Sequence, residues 1–218
     1  MARLSVRGLR HAFAAGPVVA LEALELEPGR LTVLTGPSGS GKTTLLYLLS
    51  GLIRPQAGAV VWDGVDLARL PERARDRWRR GNAGFVFQDF HLLPELSPLQ
   101  NVLMPARFAA FSARRHAGRG AELLRRFGVP DRRRVALLSR GERQRTALAR
   151  ALLLDPAVVF ADEPTASLDA AAGRGVAEAL QALAAEGRCV IAASHDPDLI
   201  ALAGRRLHLE HGRIEVFA

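Results

Sequence analysis

The run Gly36-Pro37-Ser38-Gly39-Ser40-Gly41-Lys42-Thr43 constrains this chain more than any other feature in it. It matches the phosphate-loop pattern in full, and that pattern works only between a strand and a helix. The apolar run 31–35 precedes it and a helical pattern over 44–50 follows it. Glycines let backbone N–H groups curl around phosphate oxygens without a Cβ clash. The following helix points its positive end at the same anion. Lys42 is placed to reach the β- and γ-phosphates of a nucleotide, and the Thr43 hydroxyl to ligate Mg²⁺, with Thr44 next along the same turn. Composition sharpens the point. Of 30 basic residues 29 are arginine, and Lys42 is the only lysine. Arginine and lysine are not interchangeable at a tight phosphate site.

The rest of the chain reads as one α/β domain. With 218 residues and 49% apolar content, it can bury a sizeable core. Near-continuous apolar runs at 31–35, 84–87, 157–161 and 189–193 suit a mainly parallel sheet buried on both faces. Helical patterns lie between them, for instance over 171–186. Alternating runs at 24–27 and 59–62 are typical of antiparallel strands. The stretch from about Asp89 to Arg134 lacks a strand pattern and is punctuated by Pro94, Pro98, Pro105 and Pro130, which predicts a helical lobe. A hairpin around His211-Gly212 closes the chain. The single Cys189 excludes a disulfide framework and lies in an apolar run, as a small buried hydrophobe does. Neither a secretory h-region nor a run long enough to span a bilayer is found. The formal charge of +8 permits nucleic acid or an acidic membrane as a partner and establishes neither.

A second motif, Val158-Val-Phe-Ala-Asp162-Glu163, is a hydrophobic strand ending in two carboxylates. Asp162 is placed to hold Mg²⁺, and Glu163, diverging from it, to polarise a water molecule. Ser139 followed by Glu142 is a capping box that opens a helix, with Leu148, Ala151 and Leu152 at burial spacing. Its N-terminus presents Ser139 and backbone N–H groups to an anion.

With these motifs in this order the chain resembles the ABC ATPases over essentially its whole length. Leu138 to Gln144 is similar to the family's signature, Gln88 to its Q-loop glutamine, and His195 to its switch histidine. Ser167-Leu168-Asp169 is similar to its D-loop, and Phe13 to the aromatic that stacks on adenine. The resemblance implies a RecA-like P-loop core with an N-terminal antiparallel β subdomain and an inserted helical subdomain. Residues 1–88 and 155–218 would form the core and about 89–154 the helical subdomain with the signature helix. It further implies ATP and Mg²⁺ as cofactors, with Thr43, Gln88 and Asp162 around the metal. Glu163 is expected as general base, with Lys42, Gln88 and His195 assisting. Ser139, Arg140, Gly141 and Glu142 are expected to act on the ATP of a second cassette in a homodimer or pseudo-dimer. Arg140 departs from the signature's glycine. It lies outside the nucleotide sandwich, adds a guanidinium near the γ-phosphate, or slows closure.

The resemblance also points to a transporter cassette. About fifty residues separate Gln88 from Ser139, too few for the coiled coils of chromosome-maintenance relatives. The run 85–94 with Leu99-Gln-Asn101-Val102 and Met104-Pro105 is similar to the lipoprotein-release, macrolide-efflux and cell-division subfamily. The D-loop departs from it, with Ala166-Ser167 where that group often has Gly-Asn. A separate ABC permease is therefore the expected partner, of export or mechanotransmission type, with the cassette peripheral on the cytoplasmic face of the inner membrane and no specific nucleic acid. Residues 92–96 and 99–104 would dock that permease, or pack the helical lobe, or do both. A soluble regulatory or nucleic-acid-associated ATPase is the alternative.

Overall fold

The computed structural model describes residues 2–12, 19–108 and 113–217. Two sheets organise the chain. β1 (Leu4–His11), β2 (Val19–Leu26), β4 (Ala57–Trp62) and β5 (Val65–Asp66) form an antiparallel sheet in the order β2-β1-β4-β5. Both neighbours of β1 start in register from Leu4, opposite Leu26 on one side and Trp62 on the other.

The larger sheet contains β3 (Leu31–Thr35), β6 (Ala83–Val86), β7 (Val158–Asp162), β8 (Cys189–Ala193), β9 (Arg205–Glu210) and β10 (Arg213–Phe217). Its order is β10-β9-β3-β8-β7-β6. The strands from β9 to β6 run parallel, and only β10 folds back antiparallel at the edge. His211 and Gly212 both have positive φ, 47° and 74°, which matches the hairpin turn read from the sequence. The sixth and seventh strands each sit one residue away from the sequence expectation: 83–86 instead of 84–87, and 158–162 instead of 157–161.

Every residue of β3, β7 and β8 is buried. Alternation explains how apolar runs serve both faces. Val159, Ala161, Val190 and Ala192 join one core with Leu148, Leu152, Val176, Leu180 and Leu183. Val158, Phe160, Cys189 and Ile191 join the other with Leu45, Leu48, Leu49 and Trp62. Period-two alternation thus sends neighbouring residues into different cores. The helices that cover these faces are α1 (Lys42–Leu49), α6 (Arg140–Leu152) and α7 (Ala170–Ala185). Burial pushes the Cys189 thiol up to about 12, so it is inert packing.

Between β6 and β7 the described segments are helical, with no strand among them. They include α3 (Pro98–Val102), α4 (Met104–Phe108) and α5 (Ala113–Arg126), while α2 (Glu72–Asn82) precedes β6. Asn101 is fully buried and closes the 93–96 turn: its Oδ1 accepts from Leu93 N at 2.7 Å and its Nδ2 donates to Leu93 O at 3.0 Å. Val102 and Leu103 are core residues, so segment 99–104 packs the lobe. Gln100 in the same segment is exposed.

The helix that follows the lobe approaches β6 very closely. A Cβ on Gly84 would lie 2.5 Å from the Ala151 carbonyl oxygen of α6. Backbone cannot yield as a flexible side chain can. Gly84→Ala is therefore expected to destabilise the protein by about 2 kcal/mol, as overpacked sites do. Urea denaturation of the two proteins measures it, and an unchanged midpoint would contradict the close packing.

Candidate active site

Four neighbouring parallel strands bring the predicted residues to one edge. The phosphate loop leaves the carboxyl end of β3, His195 follows β8, Asp162 and Glu163 end β7, and Gln88 follows β6. Register fixes the alignment: Leu34 and Asp162 both pair with Ala193, and Val86 with Ala161. The carboxyl ends of parallel strands are where open α/β sheets take ligands.

The loop's shape needs its glycines. Gly36, Gly39 and Gly41 have φ of 137°, 77° and 100°. At Gly36 a Cβ would sit 2.1 Å from the Leu209 carbonyl oxygen, so no other residue fits. Gly41 is the N-cap of α1, so the helix starts at Lys42 with no side chain satisfying its first N–H groups. Those donors are left for an anion. Lys42 Nζ arches back across the loop and donates to the Gly36 and Pro37 carbonyls, each at 2.9 Å. Pro37, Ser38 and Gly39 form the loop's outer turn, and Thr44 lies on the first turn of α1. Ser40 Oγ is buried with no hydrogen-bond partner among the described residues. An orphaned hydroxyl, free helix N–H groups and a folded-back lysine together fit a polyphosphate.

Thr43 Oγ1 donates to Asp162 Oδ1 at 3.0 Å, joining α1 to the end of β7. Burial raises the Asp162 pKa, and the charge of Glu163 adds to this. Hydroxyls of Thr43 and Tyr47, with the charge of Lys42, act in the opposite direction. Among the described residues no three His, Cys, Asp or Glu side chains form a metal cage. A hydroxyl and one carboxylate beside a phosphate cradle are instead the donor set for Mg²⁺, which keeps few protein ligands and takes the rest from phosphates and water.

Glu163 follows Asp162 in a left-handed conformation, φ 44°, with its N–H donated to Ala193 O at 2.9 Å. This kink separates the two carboxylates that a continuing strand would only alternate. Oε2 of Glu163 lies 3.0 Å from Nδ1 of His195, whose side chain is 78% exposed. Glu163 and His195 therefore meet, as do Thr43 and Asp162. Gln88 is at the same edge with its side chain exposed. Phe13 lies outside the described residues.

The signature stands apart from this cluster. Ser139 N-caps α6, and the capping box with Glu142 forms in both directions: Ser139 Oγ accepts from Glu142 N, and Glu142 Oε2 accepts from Ser139 N at 2.7 Å. Ser139 and Arg140 are exposed, while Gly141 is buried. A Cβ on Gly141 would meet the Ala172 Cβ at 2.9 Å, so this glycine also sets how closely α6 and α7 pack. Ala151, expected to be buried, is only partly so. In the D-loop, Ser167 has φ of 63° and Leu168 packs on the core. Asp169 caps α7 by accepting from Ala172 N at 2.8 Å. A hollow of about 410 Å³ lies between this loop and His195.

Sequence reasoning missed Tyr47 and named Gln144 only as part of the signature-like run, without its contact. Tyr47, one turn after Thr43, presents its hydroxyl to Asp162, and burial together with that carboxylate raises its own pKa. The i, i+4 spacing from Thr43 was the available signal. Gln144 is fully buried and donates to Pro164 O at 2.5 Å, tying the signature helix to the turn after Glu163.

The raised pKa of Asp162 has a consequence for stability. Ionised at neutral pH, the buried carboxylate is less favourable folded than unfolded. Asp162→Asn should raise the thermal midpoint of the nucleotide-free protein, because it removes a charge that burial disfavours. The same variant should lose the Mg²⁺-dependent part of stabilisation by ATP. Thermal scans with ATP alone and with ATP plus Mg²⁺ test both halves.

Comparison with known proteins agrees with this geometry. The family model described as ABC transporter matches residues 22–166. The lipoprotein-releasing system ATP-binding protein LolD 2 of Caulobacter vibrioides is 42% identical over 98% of this chain and 96% of its own length. The LolD protein of Leptospira interrogans is 38% identical over 97% and 90%. Among solved structures, the dimeric post-hydrolysis state of the ATP-binding cassette MJ0796 bound to ADP and Pi superposes with a TM-score of 0.86. It is 30% identical, with 97% of this chain and 96% of that one covered. The chain belongs to the ABC transporter family, as an ATP-binding cassette that hydrolyses ATP.

Proposed function

We propose that this cassette drives a separate membrane permease of the lipoprotein-releasing type by ATP-dependent pairing with a second cassette on the cytoplasmic face of the membrane. The single observation that carries the chemistry is the meeting of Lys42, Thr43, Asp162, Glu163 and His195 at one sheet edge. In this reading Phe13 stacks on adenine, and residues from Gly36 to Thr44 hold the phosphates. Thr43, Asp162 and Gln88 would hold Mg²⁺, which would supply charge neutralisation to the phosphates. Glu163 takes a proton from the attacking water as its oxygen approaches the γ-phosphorus, and the bond to the β-bridging oxygen breaks. His195, already against Glu163, steadies the γ-phosphate. Ser139 and Gly141, which stand apart from this cluster, complete the site of the partner cassette. Exposure of Ser139, Arg140 and the hollow beside His195 supports such a pairing face. Catalysis is then mostly positioning and charge stabilisation.

The permease would dock in a groove of about 420 Å³ lined by Phe85, Phe87, Pro105, Leu154 and the guanidinium-bearing Arg79 and Arg150. That groove offers apolar surface with a cationic rim. Among the described residues no helix is long and apolar enough to cross a membrane, which supports assigning the span to another polypeptide.

Glu163→Gln should lower turnover at least about 100-fold, the range of general-base loss, while ATP binding persists and a dimer accumulates. Gel filtration with ATP and a phosphate-release assay read both, and wild-type turnover would remove Glu163 from its role. Lys42→Arg keeps the charge but replaces a compact ammonium that reaches two carbonyls of its own loop. Its hydrolysis should fall at least about tenfold, equivalent to about 1.4 kcal/mol of barrier.

A further inference from the structure

Arg150 lies in the last turn of α6 and is partly buried. Its guanidinium forks onto two consecutive carbonyls, Nη1 donating to His91 O and Nη2 to Phe90 O. Phe90 and His91 both have left-handed backbones, with φ of 57° and 46°. Neither is glycine or asparagine, so two such residues in succession do not hold that shape unaided.

A second set of contacts pins the same turn from the sheet side. The His91 ring meets Phe87 edge-on at 5.0 Å, Phe87 stacks on Phe85 at 5.6 Å, and Phe85 on Phe160 of β7 at 5.4 Å. Arg150 can reach the turn because α6 crosses β6 at Gly84, next to Ala151. Gln88 occupies the near end of this turn, one residue after Phe87, at the carboxyl edge beside the strand that ends in Asp162.

We infer that Arg150 is a positioning residue for hydrolysis: its fork holds the 87–91 turn in the left-handed form that keeps Gln88 at the catalytic edge. Arg150 acts through this turn, by its contacts with the Phe90 and His91 carbonyls. The fork is geometric, and a lysine ammonium, a single point donor on a flexible stem, does not reproduce it. The inference rests on the role proposed above for Gln88. It also gives α6 two ends with work to do, Ser139 in the signature at the first turn and the clamp on the Gln88 turn at the last.

The test is a double-mutant cycle of Arg150→Lys and Gln88→Ala, read by steady-state ATPase kinetics and by hydrogen exchange of the nucleotide-free protein. Arg150→Lys is expected to lower kcat about tenfold and leave the KM for ATP within about twofold. Combined with Gln88→Ala it should add no further loss, because both remove the same positioning. In the nucleotide-free protein, amides of 88–91 should exchange about tenfold faster in Arg150→Lys, while those of β8 and α7 stay protected. Losses that multiply in the double variant, or unchanged exchange at 88–91, would overturn the inference. Failure of the Gln88 reading shows itself differently, as full turnover in Gln88→Ala alone.

Discussion

Burial of the central strands on both faces confines the chemistry of the large sheet to its ends. No side chain in the middle of β3, β7 or β8 is charged, because each is buried and all but Thr32 belong to one of two apolar cores. Charged groups emerge only where these strands stop. Parallel alignment then stops them at the same edge, and a loop that only glycine can form brings a helix N-terminus to meet them. The joining bond, Thr43 to Asp162, fixes the helix to the strand at the place where burial already disfavours the carboxylate's charge. A site with free N–H donors on one side and an uneasy carboxylate on the other is arranged for a phosphate and a cation together.

The arginine excess takes on a different meaning in three dimensions. Arg143 donates to the Leu138 and Ala136 carbonyls, Arg205 to Glu25 O and Arg150 to Phe90 and His91. Arg119, Arg126 and Arg188 pair with Asp155 and Glu186 around the junction of the helical lobe and the core. These exposed pairs contribute little stability one by one. Their physical use is geometric, since a fork of donors holds loops that have no regular hydrogen bonding. An arginine-rich composition supplies the guanidinium groups, and the fold chooses which ones reach a carbonyl.

The departure at Arg140 falls where the fold tolerates it. Arg140, in place of a glycine, is exposed at the first turn of α6. Gly141, which is retained, has Ala172 within 2.9 Å of where a Cβ would be. Glu142 in place of glutamine completes the capping box at least as well. Asn101, first noticed as part of a subfamily pattern, turns out to close a buried turn.

The sequence by itself determined a nucleotide-phosphate loop, the strands that flank it and which candidate residues lie at the strand ends. Glycine spacing, apolar runs and a terminal carboxylate are local facts, and local geometry follows from them. Tertiary structure alone decided which side chains meet. The left-handed kink at Glu163 that turns it to His195, the Tyr47 hydroxyl on Asp162, the reach of Gln144 to Pro164 and the grip of Arg150 on the turn after Gln88 all join residues from different elements. Segment 99–104 shows the same limit, since an apolar stretch reads alike whether it docks a partner or fills a core. Periodicity reports which face is apolar, and only packing reports what covers it.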